Sequence, residues 1–352
     1  MTTQTFSPDV AWVTSSKRLP RWASPSILLG SFGLVALGQF LLGGINLPAL
    51  ITCAVLLFAV GNTAVSWRFE GKRWAQDRLA STGITVAFGL AIIPLITLLS
   101  TVISKGIKLF SLSFLSDDMR GIYGDMTSGG VHHAIIGTLL VTLAAAVVAI
   151  PIGLMTAVYL VEYGNGRLAK AITIMVDIMT GIPSIVAGLF AFALFTMIFG
   201  PAYRSGLMGA VALAVLMIPV VVRSVEEMLR LVPNELREAS YALGVPKWLT
   251  IIKVVLRTAL AGITTGIFLA VARVIGETAP LLITVGILQQ VNWDLFDGRM
   301  TTLPVFAYSQ YQSGGVGVDR AWAAALTLII LVMLLNLVAR VIGRIFAPKV
   351  SR

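Results

Sequence analysis

The chain has 352 residues, 57% of them hydrophobic and only 12% charged, with a net charge of +10. A soluble domain carries about 25% charged residues, so this composition, with a mean hydropathy of +0.91, describes a polytopic membrane protein and excludes an ordinary soluble enzyme. The positive charge does not signal nucleic-acid binding, because the basic residues form no run or stripe and sit instead at the ends of apolar segments.

The first 26 residues are polar and hold Lys17, Arg18 and Arg21. The first apolar segment begins too late for a cleaved signal peptide and is expected to be a retained anchor. A membrane-crossing helix needs about 20 mostly apolar residues. Eight segments qualify: Ile27–Leu42, Leu47–Ser66, Leu79–Ile103, Ala134–Val161, Ala171–Phe199, Leu207–Val222, Ala259–Gly286 and Ala321–Ile342. The first two are joined through Gly43 and Gly44 and are expected to form a hairpin. Pro48 and Pro94 are compatible with such helices, since neighbouring groups re-satisfy the freed carbonyls. Cys53 lies within an apolar segment and reads as a small packing residue; a lone cysteine makes neither an intramolecular disulfide nor a zinc site.

Orientation follows from the loops. With the N-terminus inside and all eight segments spanning, 19 of the 26 Lys and Arg fall on the inner side. Six face outward, and Arg273 alone stays within a span. Both termini are therefore expected in the cytoplasm. Two outer segments are long, Ser104–His133 and Gln289–Arg320. The first carries Asp117, Asp118, Asp125 and the pair His132–His133, which reads as interfacial because no third metal ligand is close in sequence. The second carries Trp293, Phe296, Phe306, Tyr308 and Tyr311, read as an interfacial belt or a short outer lid.

Chemistry concentrates in few places. Asp177, Glu277 and Arg273 are the ionisable residues assigned to spans, and charge at membrane depth is costly unless paired or hydrated, so these are candidates for a substrate pathway. Arg273 and Glu277 are four residues apart, so they lie on one helix face and can form an ion pair. Arginine stays charged and presents a planar fork of donors that suits oxyanions. Gly276 and Pro280 flank Glu277 and predict a break in the helix. Asp177 precedes Thr180-Gly181-Ile182-Pro183-Ser184, a second breakable stretch whose hydroxyls at Thr180 and Ser184 either bond helix carbonyls or reach a substrate. No phosphate-binding loop of the G-x-x-x-x-G-K-[ST] type occurs. Any ATP used must be bound, with Mg, by another chain, and no cofactor is assigned to this one.

Glu238-Ala239-Ser240-Tyr241-Ala242-Leu243-Gly244 resembles the E-A-A-x-x-x-G loop of bacterial ABC-importer permeases. Ser240 replaces the second alanine, and Val254-Val255-Leu256-Arg257 stands where the family has I-x-L-P. Asn234 is expected to cap a helix over Glu235–Leu243, with Gly244 ending it in the left-handed region. Arg273-Val274-Ile275-Gly276-Glu277-Thr278-Ala279-Pro280-Leu281-Leu282 resembles the R-x-x-G-E-T-A-P-L-L stretch of PstA-type permeases of phosphate importers. Asp177 to Leu189 resembles that family's third core span, and the likeness runs from about Leu79 to the C-terminus.

The resemblance implies an all-α type I importer core of six spans at 79–345, with the coupling loop at 235–257, behind a tail at 1–26 and an additional hairpin with a basic loop at 27–78. A second tail covers 346–352. It further implies a PstC-type sister permease, two PstB-type ATPases holding ATP and Mg, and a PstS-type phosphate-binding protein outside a bacterial inner membrane. Arg273, Glu277, Asp177, Thr180 and Ser184 would line the pathway. Glu238, Ala239, Ser240, Leu243 and Gly244 would contact the ATPase. The alternatives are a permease for another oxyanion or a phosphonate, an ATP-independent anion transporter, and a membrane scaffold or sensor that moves no solute.

Overall fold

The computed structural model describes residues 19–346, apart from 21, 42, 43, 45 and 123–125. Lys17, Arg18, Arg21, Gly43, Asp125 and residues 347–352 lie outside the described residues. The described elements are helices throughout. Helix α1 (Ala23–Leu41) and α2 (Leu47–Phe69) pair, and α3 (Lys72–Gly106) is one 35-residue helix. A short turn, α4 (Leu112–Ser116), precedes α5 (His132–Val158), which runs on through a π turn at Tyr159–Tyr163. Then come α6 (Arg167–Gly181), α7 (Ser184–Phe199), α8 (Gly206–Arg230), α9 (Asn234–Ala242) and α10 (Lys247–Thr250). A second π turn at Ile251–Val255 leads into α11 (Leu256–Ile275), followed by α12 (Ala279–Thr284), α13 (Leu303–Ser313) and α14 (Val316–Phe346).

Seven helices are long and apolar enough to cross a membrane, and eight spans result if the bent pair α6–α7 counts as one. Two expected spans are discontinuous. The segment expected as one helix over 171–199 breaks at Ile182–Pro183 and turns by 104°. The residue before a proline is pushed out of the helical region, and Ile182 is extended at φ −69°, ψ 127°. The segment expected over 259–286 ends at Ile275 and restarts at Ala279. Helix α8, by contrast, runs eight residues past its expected end at Val222, because its last two turns pair their own charges.

Packing divides the chain into two compact units, residues 1–99 and 100–352. The division falls inside α3 and not at the expected 78/79 boundary, since the basic loop and the following span form one uninterrupted helix. In the first unit, polar groups fasten the helix ends. The Glu70 carboxylate accepts from Arg78 Nε at 2.7 Å and Nη2 at 2.9 Å, from Ser66 Oγ at 2.7 Å and from the Leu19 amide at 2.6 Å. Arg78 Nη1 also donates to Ser24 Oγ at 2.7 Å. The Glu70 side chain is only 2% exposed, and these donors hold its carboxyl at about 2, well below the ordinary 4.5, with the Arg78 hydrogen bond the largest cause.

In the second unit α8 is central, with α5 along one side and α11 along another. Lipid tails are as apolar as Leu, so helices associate in a membrane through close packing more than through water exclusion. The sequence supplies the small residues this needs. Val141, Ala145 and Ala149 of α5 meet Leu213, Met217 and Val221 of α8 in one buried cluster. A Cβ at Gly153 would lie 2.7 Å from Val221. A second cluster gathers Phe114, Val131 and Ala134 with Leu303, Phe306 and Ala323. Phe306 is therefore a packing residue, 2% exposed, and not part of a belt. Its ring meets the buried His133 edge-on at 5.3 Å. Trp293, Phe296, Tyr308 and Tyr311 stay exposed.

Candidate functional site

The two broken spans converge on a cavity of about 180 Å³. That is far above the ~10–15 Å³ one water needs. Its walls include Thr180 at the end of α6, Ser184 at the start of α7, Pro219 and Val220 of α8, and Arg273 and Glu277 across the break after α11. Four of the five residues expected in a pathway thus line one space. Gly276 takes the C-cap position of α11, and Pro280, lacking a donor, is accommodated in the first turn of α12. Helix α12 is pressed against α7: a Cβ at Gly188 would lie 2.6 Å from Pro280 Cα. The Gly188–Pro280 contact fixes the two breaks side by side.

The expected Arg273–Glu277 ion pair is not formed. Helix α11 stops two residues before Glu277, so the two side chains no longer share a helix face. Arg273 is exposed and Glu277 half-buried. Among the described residues neither side chain has an ion-pair or hydrogen-bond partner. The guanidinium is left with five unfilled donors on the cavity wall. Thr180 donates its proton to the Val176 carbonyl at 2.9 Å, so it offers the cavity an acceptor. Ser184 Oγ makes no such bond among the described residues and stands at the positive end of α7.

Asp177 lies apart from the cavity. It is exposed and pairs with Arg223, which also holds Glu226 at 2.8 Å; Glu226 in turn holds Arg230 at 2.7 Å. The Asp177–Arg223 contact ties α6 to α8 about one turn from Thr180 and Pro219. The span expected over Leu207–Val222 stops short of Arg223, Glu226 and Arg230, so this ladder was missed. The signal was present, because Arg223, Glu226 and Arg230 are spaced three and four apart on one face.

The expected coupling helix is α9. It starts at Asn234 behind Pro233, so Asn234 is not its cap; the Asn234 side chain instead accepts from Arg237 Nη1 at 3.3 Å. Its end follows expectation. Gly244 has φ +75°. The Gly244 amide bonds the Tyr241 carbonyl at 2.9 Å and the Val245 amide bonds the Ser240 carbonyl at 3.2 Å, which is a Schellman closure. Ser240 is the buried residue of α9 and its hydroxyl meets Thr250 at 2.8 Å. The hydroxyl that departs from the family pattern thus joins α9 to α10. Glu238, Ala239, Leu243 and Gly244 are exposed, Leu243 at 84%.

Residues 149–352 match the family described as binding-protein-dependent transport system inner membrane component. A Mycobacterium tuberculosis (strain CDC 1551 / Oshkosh) protein named phosphate transport system permease protein PstA 1 is 49% identical over 273 residues, spanning 77% of this chain and 90% of that protein. The chain belongs to the PstA-type permeases. A Pasteurella multocida (strain Pm70) PstA is 40% identical over 274 residues, 76% of this chain and 92% of that protein. A chain of the inward-facing MetNI methionine ABC transporter aligns with a TM-score of 0.49 at 23% identity, covering 62% of this chain and 95% of that one. PstA-type permeases are multi-pass membrane subunits of ABC transporters, which work with an ATPase and a binding protein. The family match spans the cavity and α9 together.

Proposed function

We propose that this chain is one half of the membrane pathway of an ATP-driven importer of inorganic phosphate. The observation that carries the reading is the unpaired Arg273 guanidinium on the wall of a cavity built where two spans break. Arginine presents parallel N–H donors that match two oxygens of one oxyanion. Ser184 adds a neutral donor from the facing break, and the α7 N-terminus favours negative charge. Glu277 opposes tight binding, since its carboxylate and the anion repel. A transit site has to be weak, because a tight one would hold the ion.

The finer assembly belongs to the same reading. A PstC-type permease supplies the other wall; Ile185, Val186, Leu189 and Phe190 of α7 are exposed beside the cavity and offer it an apolar face. Two PstB-type subunits hold ATP and Mg, and this chain has no ATP site of its own. A PstS-type protein delivers phosphate from outside. Both termini lie in the cytoplasm of a bacterial cell, so the exposed surface of α9, with Glu238, Ala239 and Leu243, meets the ATPases. Closure of the ATPases on ATP moves α9, and α10, the second π turn and α11 carry that movement along the backbone to Arg273. The Arg273 side of the cavity then shifts against Thr180 and Ser184, which changes the side from which the anion is reached.

Reconstitution tests this. The purified importer in liposomes is expected to take up labelled phosphate only with ATP inside and binding protein outside, with sulfate and molybdate failing to compete. Strong competition by either anion would replace phosphate with another oxyanion. Uptake by this chain alone would replace the ABC mechanism.

A further inference from the structure

One side chain in the second unit uses every donor it has. Arg237 of α9 is 13% exposed and faces Glu162, itself 5% exposed. Its Nε and Nη2 donate to Glu162 Oε1 at 3.1 and 2.8 Å. Nη2 also reaches the Leu229 carbonyl at 3.1 Å, and Nη1 reaches the Val232 carbonyl at 2.6 Å and Asn234 Oδ1 at 3.3 Å. Those five bonds fill the five N–H groups of a guanidinium. Glu162 lies in the π turn that ends α5, and Leu229 lies in the last turn of α8. Lys247, at the start of α10, donates to the Glu162 carbonyl and sits 4.6 Å from the centre of the Tyr163 ring.

Helix α9 needs such a fastening. It has nine residues and buries only Ser240. A helix that short is marginal on its own in water, so a push on its outer face would unwind or tilt it unless something held the inner face. One five-residue π turn follows α5 and holds Glu162, and another precedes α11 and packs against α9. π turns interrupt the regular ladder and are frequent at functional sites. The fastening and both interruptions therefore occupy one small region.

We propose that Arg237 is the positioning residue that couples α9 to α5 and α8, through Glu162 and the carbonyls of Leu229 and Val232, with the two π turns as the joints at which the movement enters the membrane helices. This rests on the reading above that α9 receives the ATPase. Without Arg237, α9 keeps its backbone links to α8 and α10 and the Lys247 contact with the Glu162 carbonyl, but loses the side-chain bonds that hold its inner face. The ATPases would still hydrolyse ATP, but α5 and α8 would follow α9 less closely.

The test uses the complete importer in liposomes, with ATP hydrolysis and phosphate uptake measured together. Arg237→Ala is expected to lower phosphate moved per ATP by about tenfold, the weight of a coupling of ordinary strength. Arg237→Lys should fall between, since one ammonium cannot fill the same five positions. If Arg237→Ala fails to assemble, the isosteric Glu162→Gln carries the test. An unchanged ratio in whichever of these two assembles overturns the proposal. Absence of ATP-driven uptake in the unmodified complex would instead overturn the importer reading.

Discussion

At the scale of residues, the account turns on a guanidinium without a partner. Arg273→Lys keeps the charge but loses the fork, and we expect uptake of labelled phosphate to fall about tenfold, with Arg273→Ala lower still. Full activity in Arg273→Lys would reduce Arg273 to a generic positive charge. Glu277→Gln removes a repelling carboxylate from the cavity wall, so the KM for phosphate should fall several-fold while the maximal rate declines as release slows; an unchanged KM would separate Glu277 from the anion. The sequence made these two residues conspicuous because ionisable groups are rare in apolar segments. The two readings of this stretch were at odds: pairing at four residues assumes an unbroken helix, while Gly276 and Pro280 signal a break, and the break is what the structure has, with α11 ending at Ile275. Asp177 shows the converse: it sits one helical turn from Thr180 on the cavity wall, but a cation 46 residues later in the chain captures it.

At the scale of elements, breaks and closures do the positioning. Gly188 lets α7 lie directly on Pro280, and Gly188→Ala would set a Cβ 2.6 Å from a backbone carbon. Forcing atoms into such a contact costs about 1–3 kcal/mol, so a lowered thermal midpoint in detergent is expected, together with weaker uptake as the two breaks part. Gly244→Pro cannot adopt the positive φ that closes α9, and Glu238→Lys reverses a charge on its exposed face. Both should uncouple ATP hydrolysis from uptake while part of the complex still assembles. Wild-type uptake in either would remove α9 from the coupling route. The end of α9 was readable because only glycine tolerates φ +75° cheaply. Its inner fastening was not, since Arg237 and Glu162 are 75 residues apart and nothing local marks either one.

At the scale of the whole molecule, the N-terminal helices form a unit whose stability depends on a carboxylate. The folded state holds Glu70 near 2 against an ordinary 4.5, so its contribution is complete above about pH 4.5 and is lost as pH falls towards 2. Glu70→Gln should lower the thermal midpoint at pH 7 and flatten the loss seen on acidification; an identical pH profile in the variant would mean another group controls that unit. Composition and basic-residue bias made the membrane spans legible across the whole chain, because both are sums over many residues. The break at Ile182–Pro183 had a local signal in Pro183, but its 104° angle and the meeting of Thr180 with Arg273 depend on how distant helices pack, which no local pattern encodes. The central claim, that this chain and its partners move phosphate at the expense of ATP through a pathway containing Arg273, is tested most directly by uptake of labelled phosphate into liposomes holding the complete importer. The account predicts accumulation that requires internal ATP, resists competing sulfate and collapses in Arg273→Ala. Accumulation that proceeds without the ATPase subunits, or that survives loss of Arg273, would contradict it.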